Sequence, residues 1–117
     1  MKEKIMGILL VFALIGAFRI NSPFKGEPVS AYTSISNLDN RDIDDVRLDY
    51  IVYDVNGDAL DSFTSRDFDV DSGAETGIRT SYSGNLRQGE YSLKVTARSE
   101  TRNSFRQAKY LPFFIEG

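Results

Sequence analysis

Apolar and polar residues alternate along most of the chain after residue 28, and turn-forming residues recur at intervals of roughly 8–12 positions. In the segment 29–36, Val, Ala, Thr and Ile occupy every second position, and Ser or Tyr lies between them. A period of two places one set of side chains on each face of a β-strand, whereas a helix needs a period of about 3.6. The 117 residues are enough for one domain. The chain is therefore predicted to be a single all-β domain, an antiparallel sandwich of about seven strands.

The other strands are predicted from the same alternation and from the turns between them, at residues 46–53, 59–63, 67–71, 76–82, 91–97 and 105–116. Segment 46–53 has apolar residues on both faces, which is typical of a central strand. Asn56 and Gly57 predict a tight hairpin turn after it, because both residues tolerate a positive φ. Pro112 favours an edge position or a bulge for the last strand, since proline cannot donate to a β-ladder.

The most specific local pattern is Leu86-x-x-Gly89-x-Tyr91, which stands at the start of a predicted strand. This spacing is typical of a tyrosine corner, in which the Tyr hydroxyl bonds to backbone a few residues upstream. Gly89 allows the turn, and Leu86 is expected to close the end of the core. These three residues are predicted to have a structural role.

The N-terminal segment has a different composition. Lys2 and Lys4 precede an apolar run at residues 5–18, and Arg19 ends it. A basic start before roughly 7–15 apolar residues is typical of a secretory signal, and a comfortable membrane span needs about 20 residues. The positive-inside rule would leave the rest of the chain outside the cell.

We therefore expect residues 1–20 to form a hydrophobic helix that serves as a signal peptide or a short membrane anchor. Cleavage after Ala17 and retention of the segment both remain open, because Ile stands two residues before Ala17 where a small residue is preferred. Residues 21–28, which are interrupted by Pro and Gly, are expected to be a linker, and residues 29–117 the sandwich.

The sequence contains neither Cys nor His, and this limits its chemistry. Disulfides, thiol nucleophiles and Cys-ligated zinc are excluded, and no Ser-His-Asp triad can form. No two of the 17 Asp and Glu residues stand out as a glycosidase pair. We expect no enzymatic activity and no catalytic or cofactor-binding residue. The formal net charge of −3 also argues against nucleic acid as a partner, since phosphates attract a basic face.

Charge is distributed unevenly along the chain. Residues 27–75 carry 13 acidic and 3 basic side chains, a net charge of −10, whereas residues 76–117 carry 7 basic and 3 acidic ones, a net charge of +4. Two solvated faces of a sandwich would account for this. The alternative is self-association, with the acidic part of one copy against the basic part of another.

Five segments carry a resemblance to a known family: residues 35–40, residues 46–48, the turn at 56–57, the corner at 86–95 and the basic-aromatic segment 106–110. With these, the chain from 29 to 115 resembles the immunoglobulin-like domains of archaeal and bacterial cell-surface proteins, including the CARDB type. The resemblance implies an immunoglobulin-like sandwich that acts in adhesion, spacing or assembly, usually in tandem copies. A first strand is hard to recognise before residue 27. The sheet is therefore expected to lack a strand at that edge, where another chain could add one.

Acidic residues provide the weak candidates for a metal site. Asp39, Asp42, Asp44 and Asp45 belong to one predicted loop and could gather a calcium ion, although a solvated loop is the simpler explanation.

Asp67, Asp69 and Asp71 alternate on one strand face, where their charges require an opposing base, for which Arg79 or another base on a neighbouring strand is expected.

A basic cluster near the last hairpin is a candidate contact for a glycan or an anionic polymer. Its residues are Arg98, Arg102, Phe105, Arg106, Lys109 and Tyr110. Exposed charge pairs on a hairpin explain the same residues without any ligand.

Three functions follow from these patterns as hypotheses. The first is an exported structural or adhesion module that contacts other surface proteins. The second is a filament or surface-layer subunit that assembles through the N-terminal apolar helix. Residues 5–18 are also expected to contact the membrane if the segment is not cleaved. The third is a calcium- or glycan-binding module.

Overall fold

The computed structural model describes residues 13–99 and 105–117, and the regular elements within them are β-strands. The eight strands are β1 (Ala13–Ile20), β2 (Val29–Asn37), β3 (Ile43–Tyr53), β4 (Ala59–Thr64), β5 (Phe68–Val70), β6 (Glu75–Tyr82), β7 (Gly89–Ser99) and β8 (Phe105–Ile115). The prediction of an all-β domain is confirmed, with eight strands instead of about seven. The described residues include no helix that is long and apolar enough to cross a membrane.

The strands form two antiparallel sheets. One contains β1, β2 and β6 in the order β1-β2-β6, and the other has the order β4-β3-β7-β8, with β5 also paired to β3. The central position of β3 agrees with the apolar residues on both of its faces. The last strand, β8, lies at the edge of its sheet, where Pro112 costs no ladder hydrogen bond on the open side.

The core lies between the two sheets and is filled from alternate strand positions, as the period of two predicts. On β3, for example, Leu48, Tyr50 and Val52 are fully buried. The buried apolar residues of the described chain are Ala13, Ile15, Val29, Ala31, Ile35, Ile43, Val46, Leu48, Tyr50, Val52, Phe68, Val70, Ile78, Tyr82, Leu93, Val95, Ala97, Phe113 and Ile115.

The first strand corrects the expectation of an N-terminal helix. Ala13–Ile20 pair with β2, with Ile15 opposite Ile35, and the side chains of Ala13 and Ile15 are buried in the core. The predicted helix is therefore wrong for residues 13–20, and residues 1–12 lie outside the described part of the chain. The physical reason is that an unbroken apolar run has no periodicity that separates a buried strand from a helix. Residues 13–20 form a strand because the edge of β2 provides backbone hydrogen-bond partners for them.

Strand β1 also occupies the sheet edge that was expected to lack a strand. A bulge between Ile15 and Phe18 shifts its register, and there the Ala17 N–H donates to the Ser34 hydroxyl at 2.8 Å. The Ile15 N–H donates to Gln107 Oε1 on β8 at 3.0 Å. The strand is thus bonded to its own sheet and to the edge of the other one.

Residues 21–28, expected to be a linker, are bonded to the end of β8. The Lys25 N–H donates to the Glu116 carbonyl at 2.7 Å, and the Glu116 N–H donates to the Pro23 carbonyl at 2.8 Å. Asn21 closes the segment onto β2, because its N–H donates to the Ser30 carbonyl at 3.1 Å. These backbone bonds fix the connection between β1 and β2 against the sandwich.

Candidate functional site

A groove of about 580 Å³ lies on the outer face of the five-stranded sheet, where β3, β7 and β8 run side by side. This face is opposite the core, so its side chains are not needed to fill the interior. The residues that line the groove are Tyr53, Asp54, Val55, Gly57, Glu90, Tyr91, Ser92, Tyr110 and Pro112. A recess of this size, with aromatic walls and a few polar groups, is typical of a ligand site.

Two tyrosines form its aromatic wall. Tyr53 on β3 and Tyr110 on β8 both flank β7, and their ring centroids lie 6.3 Å apart at an interplanar angle of 39°. Tyr110 remains 63% exposed. The ammonium group of Lys94, which is opposite Tyr110 in the β7–β8 ladder, lies 5.6 Å from the centre of its ring and supports its position.

The turn after β3 forms one end of the groove and is held by Asp54. The Asp54 Oδ1 accepts the N–H groups of Asn56 and Asp58, each at 2.9 Å, and the Gly57 N–H donates to the Asp54 carbonyl at 3.1 Å. Gly57 has a φ of 85°, which requires glycine in practice, whereas Asn56 keeps a negative φ. The predicted turn is therefore present, but only its glycine adopts the left-handed conformation, next to a bulge in the β3–β4 ladder.

The tyrosine corner lies along the same groove. The Tyr91 hydroxyl donates to the Arg87 carbonyl at 2.7 Å, four residues upstream, which is the hydrogen bond expected of this motif. Gly89 has a φ of 150°, a conformation that other residues rarely adopt, and Leu86 packs against the core. The ring of Tyr91 stacks on Phe113 with centroids 5.6 Å apart. Because Tyr91 packs against the core, the corner fixes the start of β7, which borders the groove.

Several polar groups of the groove have no hydrogen-bond partner among the described residues. They are the hydroxyls of Tyr53 and Tyr110, the Glu90 carboxylate and the Asp54 Oδ2. Of the residues that line the groove, Asp54 and Glu90 are charged, and none is basic. The groove therefore presents acceptors and a negative potential beside an aromatic surface.

The four calcium candidates are not brought together. Asp42 Oδ1 accepts the Ser72 N–H at 2.8 Å, Asp39 Oδ1 accepts the N–H of the next residue, and the Asp45 backbone N–H donates to Asp69. The Asp44 carbonyl accepts the Ser99 hydroxyl. Within the described ranges, no group of three or more acidic side chains is placed to hold a metal ion.

Asn37, which the sequence analysis did not single out, organises this acidic loop. It is 1% exposed, its Nδ2 donates to the carbonyls of Arg41 and Val70, and its Oδ1 accepts the Asp39 N–H. The sequence signal for this role was an Asn at the end of a strand, just before an Asp-rich loop. Asn side chains in such places often form hydrogen bonds with nearby backbone groups.

The base that opposes the strand carboxylates is Arg47, not Arg79. Arg47 contacts Asp67 at 2.8 Å and, through this hydrogen bond, lowers the pKa of the Asp67 carboxyl. Arg79 instead donates to Ser30 and lies over the ring of Tyr32.

The described residues of the proposed basic-aromatic cluster lie on β7 and β8, where Arg98 is opposite Arg106 in the ladder. Arg98 contacts Asp49 at 2.6 Å, while Tyr110 belongs to the groove. Arg102 and the side chain of Phe105 lie outside the described part of the chain.

Of the two groove tyrosines, Tyr110 belonged to the basic-aromatic candidate site of the sequence, whereas Tyr53 was predicted only as a strand residue. Each occupies an outward position on its strand, at a place where the period of two would allow a small polar residue. Aromatic residues at outward strand positions were thus the signal. The two rings meet because β3 and β8 both lie next to β7, and the sequence pattern does not predict this order of strands.

No protein-family model and no curated protein matches the chain. Solved structures of similar fold include the C-terminal domain of Wzt, with a TM-score of 0.71 and 14% identity over 90% of this chain and 74% of that one. The sporulation control protein Spo0M of Bacillus subtilis has a TM-score of 0.62 at 14% identity, over 91% of this chain and 50% of its own.

A CARDB domain is among the similar structures as well. The domain of the PF1109 protein from Pyrococcus furiosus, solved in complex with di-metal ions, has a TM-score of 0.58 at 12% identity, over 90% of both chains. At such identities the likeness concerns the fold alone. The chain is a β-sandwich similar to the Wzt and CARDB domains.

Proposed function

We propose that this chain is a non-catalytic interaction module of immunoglobulin-like type, exported and held at a cell surface, that contacts its partner through the tyrosine groove. The groove carries the proposal. It places an exposed aromatic wall on a sheet face that the core does not use, and exposed aromatic surface of this kind marks interaction sites.

Two other observations support this function. The fold is similar to that of a CARDB domain, the type that the sequence resembles. The sequence also begins with basic residues and an apolar run, as exported chains do. Because β1 uses residues 13–20 of that segment, the form with a retained segment fits the sandwich better than the form cleaved after Ala17.

The alternative functions receive less support. A filament subunit would assemble through a helix over residues 5–18, but the part from Ala13 onward is a strand that already pairs with β2. A calcium-binding module would need its acidic residues close together, and no group of three or more acidic side chains in the described ranges is placed to hold a metal ion. The glycan alternative was predicted for the acidic loops and the basic-aromatic cluster, and Tyr110 of that cluster lines the groove.

The location is tested by adding protease to intact cells of the native host and detecting the sandwich with an antibody. We expect degradation of the sandwich while a cytoplasmic protein stays intact. Protection of both proteins until the cells are lysed would contradict export.

The contact surface is tested by sedimenting the purified protein with cell envelopes of the same host. We expect the wild type to bind and the double variant Tyr53→Ala, Tyr110→Ala to lose binding. Tyr32→Ala is the matched control, because Tyr32 lies on β2 in the other sheet. Equal binding by all three proteins would contradict a role for the groove, and no binding by the wild type would contradict an envelope partner.

A further inference from the structure

We infer that the tyrosine groove binds a neutral glycan chain, with a sugar ring against Tyr110 and sugar hydroxyls bonded to Glu90 and Asp54. This inference rests on the proposed function, because it names the ligand of the same surface. Of its residues, Tyr110 already belonged to a candidate glycan contact in the sequence, whereas Tyr53 and Glu90 did not.

The aromatic wall suits the apolar side of a sugar ring. A pyranose presents axial C–H groups on its face and hydroxyls around its edge, so it needs an apolar platform with polar groups beside it. Tyr110 is 63% exposed, and Pro112 follows it on the same outward side of β8. The rings of Tyr53 and Tyr110 are inclined by 39°, which makes a trough rather than a flat surface.

The polar groups of the groove are placed to receive hydroxyl donors. Glu90 has no partner in the described part of the chain, and Asp54 uses only Oδ1 in its turn. An ionised carboxylate accepts hydrogen bonds without donating any, so it requires a ligand that is rich in O–H or N–H groups. Asp54 is already fixed by the turn, which reduces the entropy lost on binding.

The charge of the groove selects against anionic polymers. Asp54 and Glu90 line it and no basic side chain does, so a phosphate, sulfate or uronate would be repelled. The ammonium group of Lys94 lies over the ring of Tyr110. Arg47 and Arg98 are further along the same face and contact Asp67 and Asp49.

A peptide is the other occupant that an aromatic groove could accept. A peptide in extended form offers about one backbone donor per residue, whereas a sugar ring offers several hydroxyls over a similar length. The number of acceptors without partners in a groove of about 580 Å³ therefore favours the sugar.

The first experiment is affinity electrophoresis of the full-length protein in a polyoxyethylene detergent, in gels that contain soluble polysaccharides. The neutral polymers are dextran, galactomannan, xyloglucan and hydroxyethylcellulose, and the anionic ones are dextran sulfate and polygalacturonate. We expect at least one neutral polymer to retard the wild type, with no retardation by the anionic pair. Absence of retardation by every neutral polymer, or stronger retardation by an anionic one, would overturn the inference.

Variants locate the binding. Tyr110→Ala and Glu90→Gln are each expected to weaken it about tenfold or more, which corresponds to about 1.4 kcal/mol. Tyr32→Ala, on the other sheet, should bind like the wild type. Binding that survives both groove substitutions would place the glycan elsewhere and would overturn the assignment.

The second experiment separates this inference from the proposed function. Cell envelopes are treated with periodate, which cleaves vicinal diols, or with protease, and are then tested for groove-dependent sedimentation. Loss after periodate and persistence after protease would support a glycan. Loss after protease alone would overturn the glycan and leave the proposed interaction module standing with a protein partner. If binding is absent even from untreated envelopes, both proposals fail.

Discussion

The hydroxyls of Thr33 and Tyr50 lie 2.8 Å apart in the middle of the core, where both residues are fully buried. They belong to opposite sheets, so their hydrogen bond joins β2 to β3 across the interior. Burial raises the pKa of Tyr50, which keeps the phenol neutral and able to share this bond. A buried hydroxyl that loses its partner has no water to replace it.

We therefore expect Tyr50→Phe to lower the free energy of unfolding by about 1–3 kcal/mol, because it leaves the Thr33 hydroxyl without a partner. Thr33→Val should have a similar effect for the same reason. The double variant should lose less stability than the sum of the losses in the two single variants, since it removes both polar groups. Urea denaturation measures all four proteins, and strictly additive costs would contradict a direct coupling.

The Tyr82 hydroxyl also connects the two sheets, at the edges formed by β6 and β4. The Tyr82 hydroxyl on β6 donates to Asp61 Oδ2 on β4 at 2.7 Å, and the ring of Tyr82 stacks on Phe63 at 4.8 Å. This hydrogen bond lowers the pKa of the Asp61 carboxyl. Burial, together with Asp61, raises the pKa of Tyr82 to about 12.

The shifts predict the pH dependence of stability. Because the pKa of Asp61 is lower in the folded state, its contribution is present above the unfolded value of 3.8 and is lost as pH falls through the folded value. The contribution of Tyr82 is present below the unfolded value of 10.0 and is lost as pH rises toward about 12.

We expect the stability difference between wild type and Tyr82→Phe to be largest near neutral pH and to shrink at both extremes. Melting temperatures of the two proteins between pH 2 and pH 11 measure it. Asp67, whose pKa Arg47 lowers, titrates in both proteins and cancels in the comparison. A difference that stays constant with pH would show that Asp61 and Tyr82 do not interact.

At the scale of elements, β1 is where the structure differs from the prediction, because a helix was expected there and a strand is present. Adjacent side chains of β1 differ in exposure: Ile15 is 3% exposed and faces the core, whereas Leu14 is 37% exposed. Together with the backbone pairing to β2, this difference between neighbours identifies a strand with one face in the core.

Ile15→Ala is expected to destabilise the protein by about 2–5 kcal/mol, the cost of deleting a large buried aliphatic side chain. The matched control is Leu14→Ala, which should change stability by about 0.5 kcal/mol or less because the side chain is partly in solvent. Chemical denaturation of the full-length chain gives both values. Equal effects of the two substitutions would contradict the strand.

The sequence predicts some elements and not others for a physical reason. Strands β3 and β7 have one face in the core, so the alternation of their side chains records burial directly. The corner at Tyr91 was also predictable, since it is built from residues close in the chain. Strand β1 was not, because its apolar run carries no alternation.

The groove depends on contacts between distant parts of the chain. Tyr53 and Tyr110 meet only because their strands flank β7, and the order of strands in a sheet is not encoded in the period of any one strand. The dispersal of the four acidic calcium candidates has a similar cause. Asn37 and Ser72, which come from other elements, determine where the loop lies.

At the scale of the whole molecule, the acidic and basic halves of the chain meet inside one sandwich. Strand β3 from the acidic half pairs with β7 from the basic half, and Arg98 contacts Asp49 across that ladder. Part of the charge asymmetry is therefore balanced within a single copy. The charge asymmetry along the chain had suggested head-to-tail association between copies. Charge pairing within one copy weakens that argument.

The N-terminal boundary of the folded unit gives the last prediction, by comparing two truncations of the full-length chain. Removal of residues 1–17, as signal cleavage after Ala17 would produce, deletes Ala13 and Ile15 from the core and the Ile15 bond to Gln107. It also exposes the edge of β2, and an unpaired strand edge promotes association. Removal of residues 1–12 leaves these contacts in place and is the matched control.

We expect the shorter chain that starts at residue 18 to lose several kcal/mol of stability, on the order of the cost of two buried apolar side chains, and to associate at high concentration. The chain that starts at residue 13 should unfold like the full-length protein and stay monomeric. Urea denaturation and sedimentation velocity measure the two properties. If both truncated chains behave alike, β1 contributes nothing to the folded unit, and a cleaved, exported form becomes compatible with the sandwich. If only the longer one is stable, a mature protein with this fold must retain residues 13–17, which pair with β2.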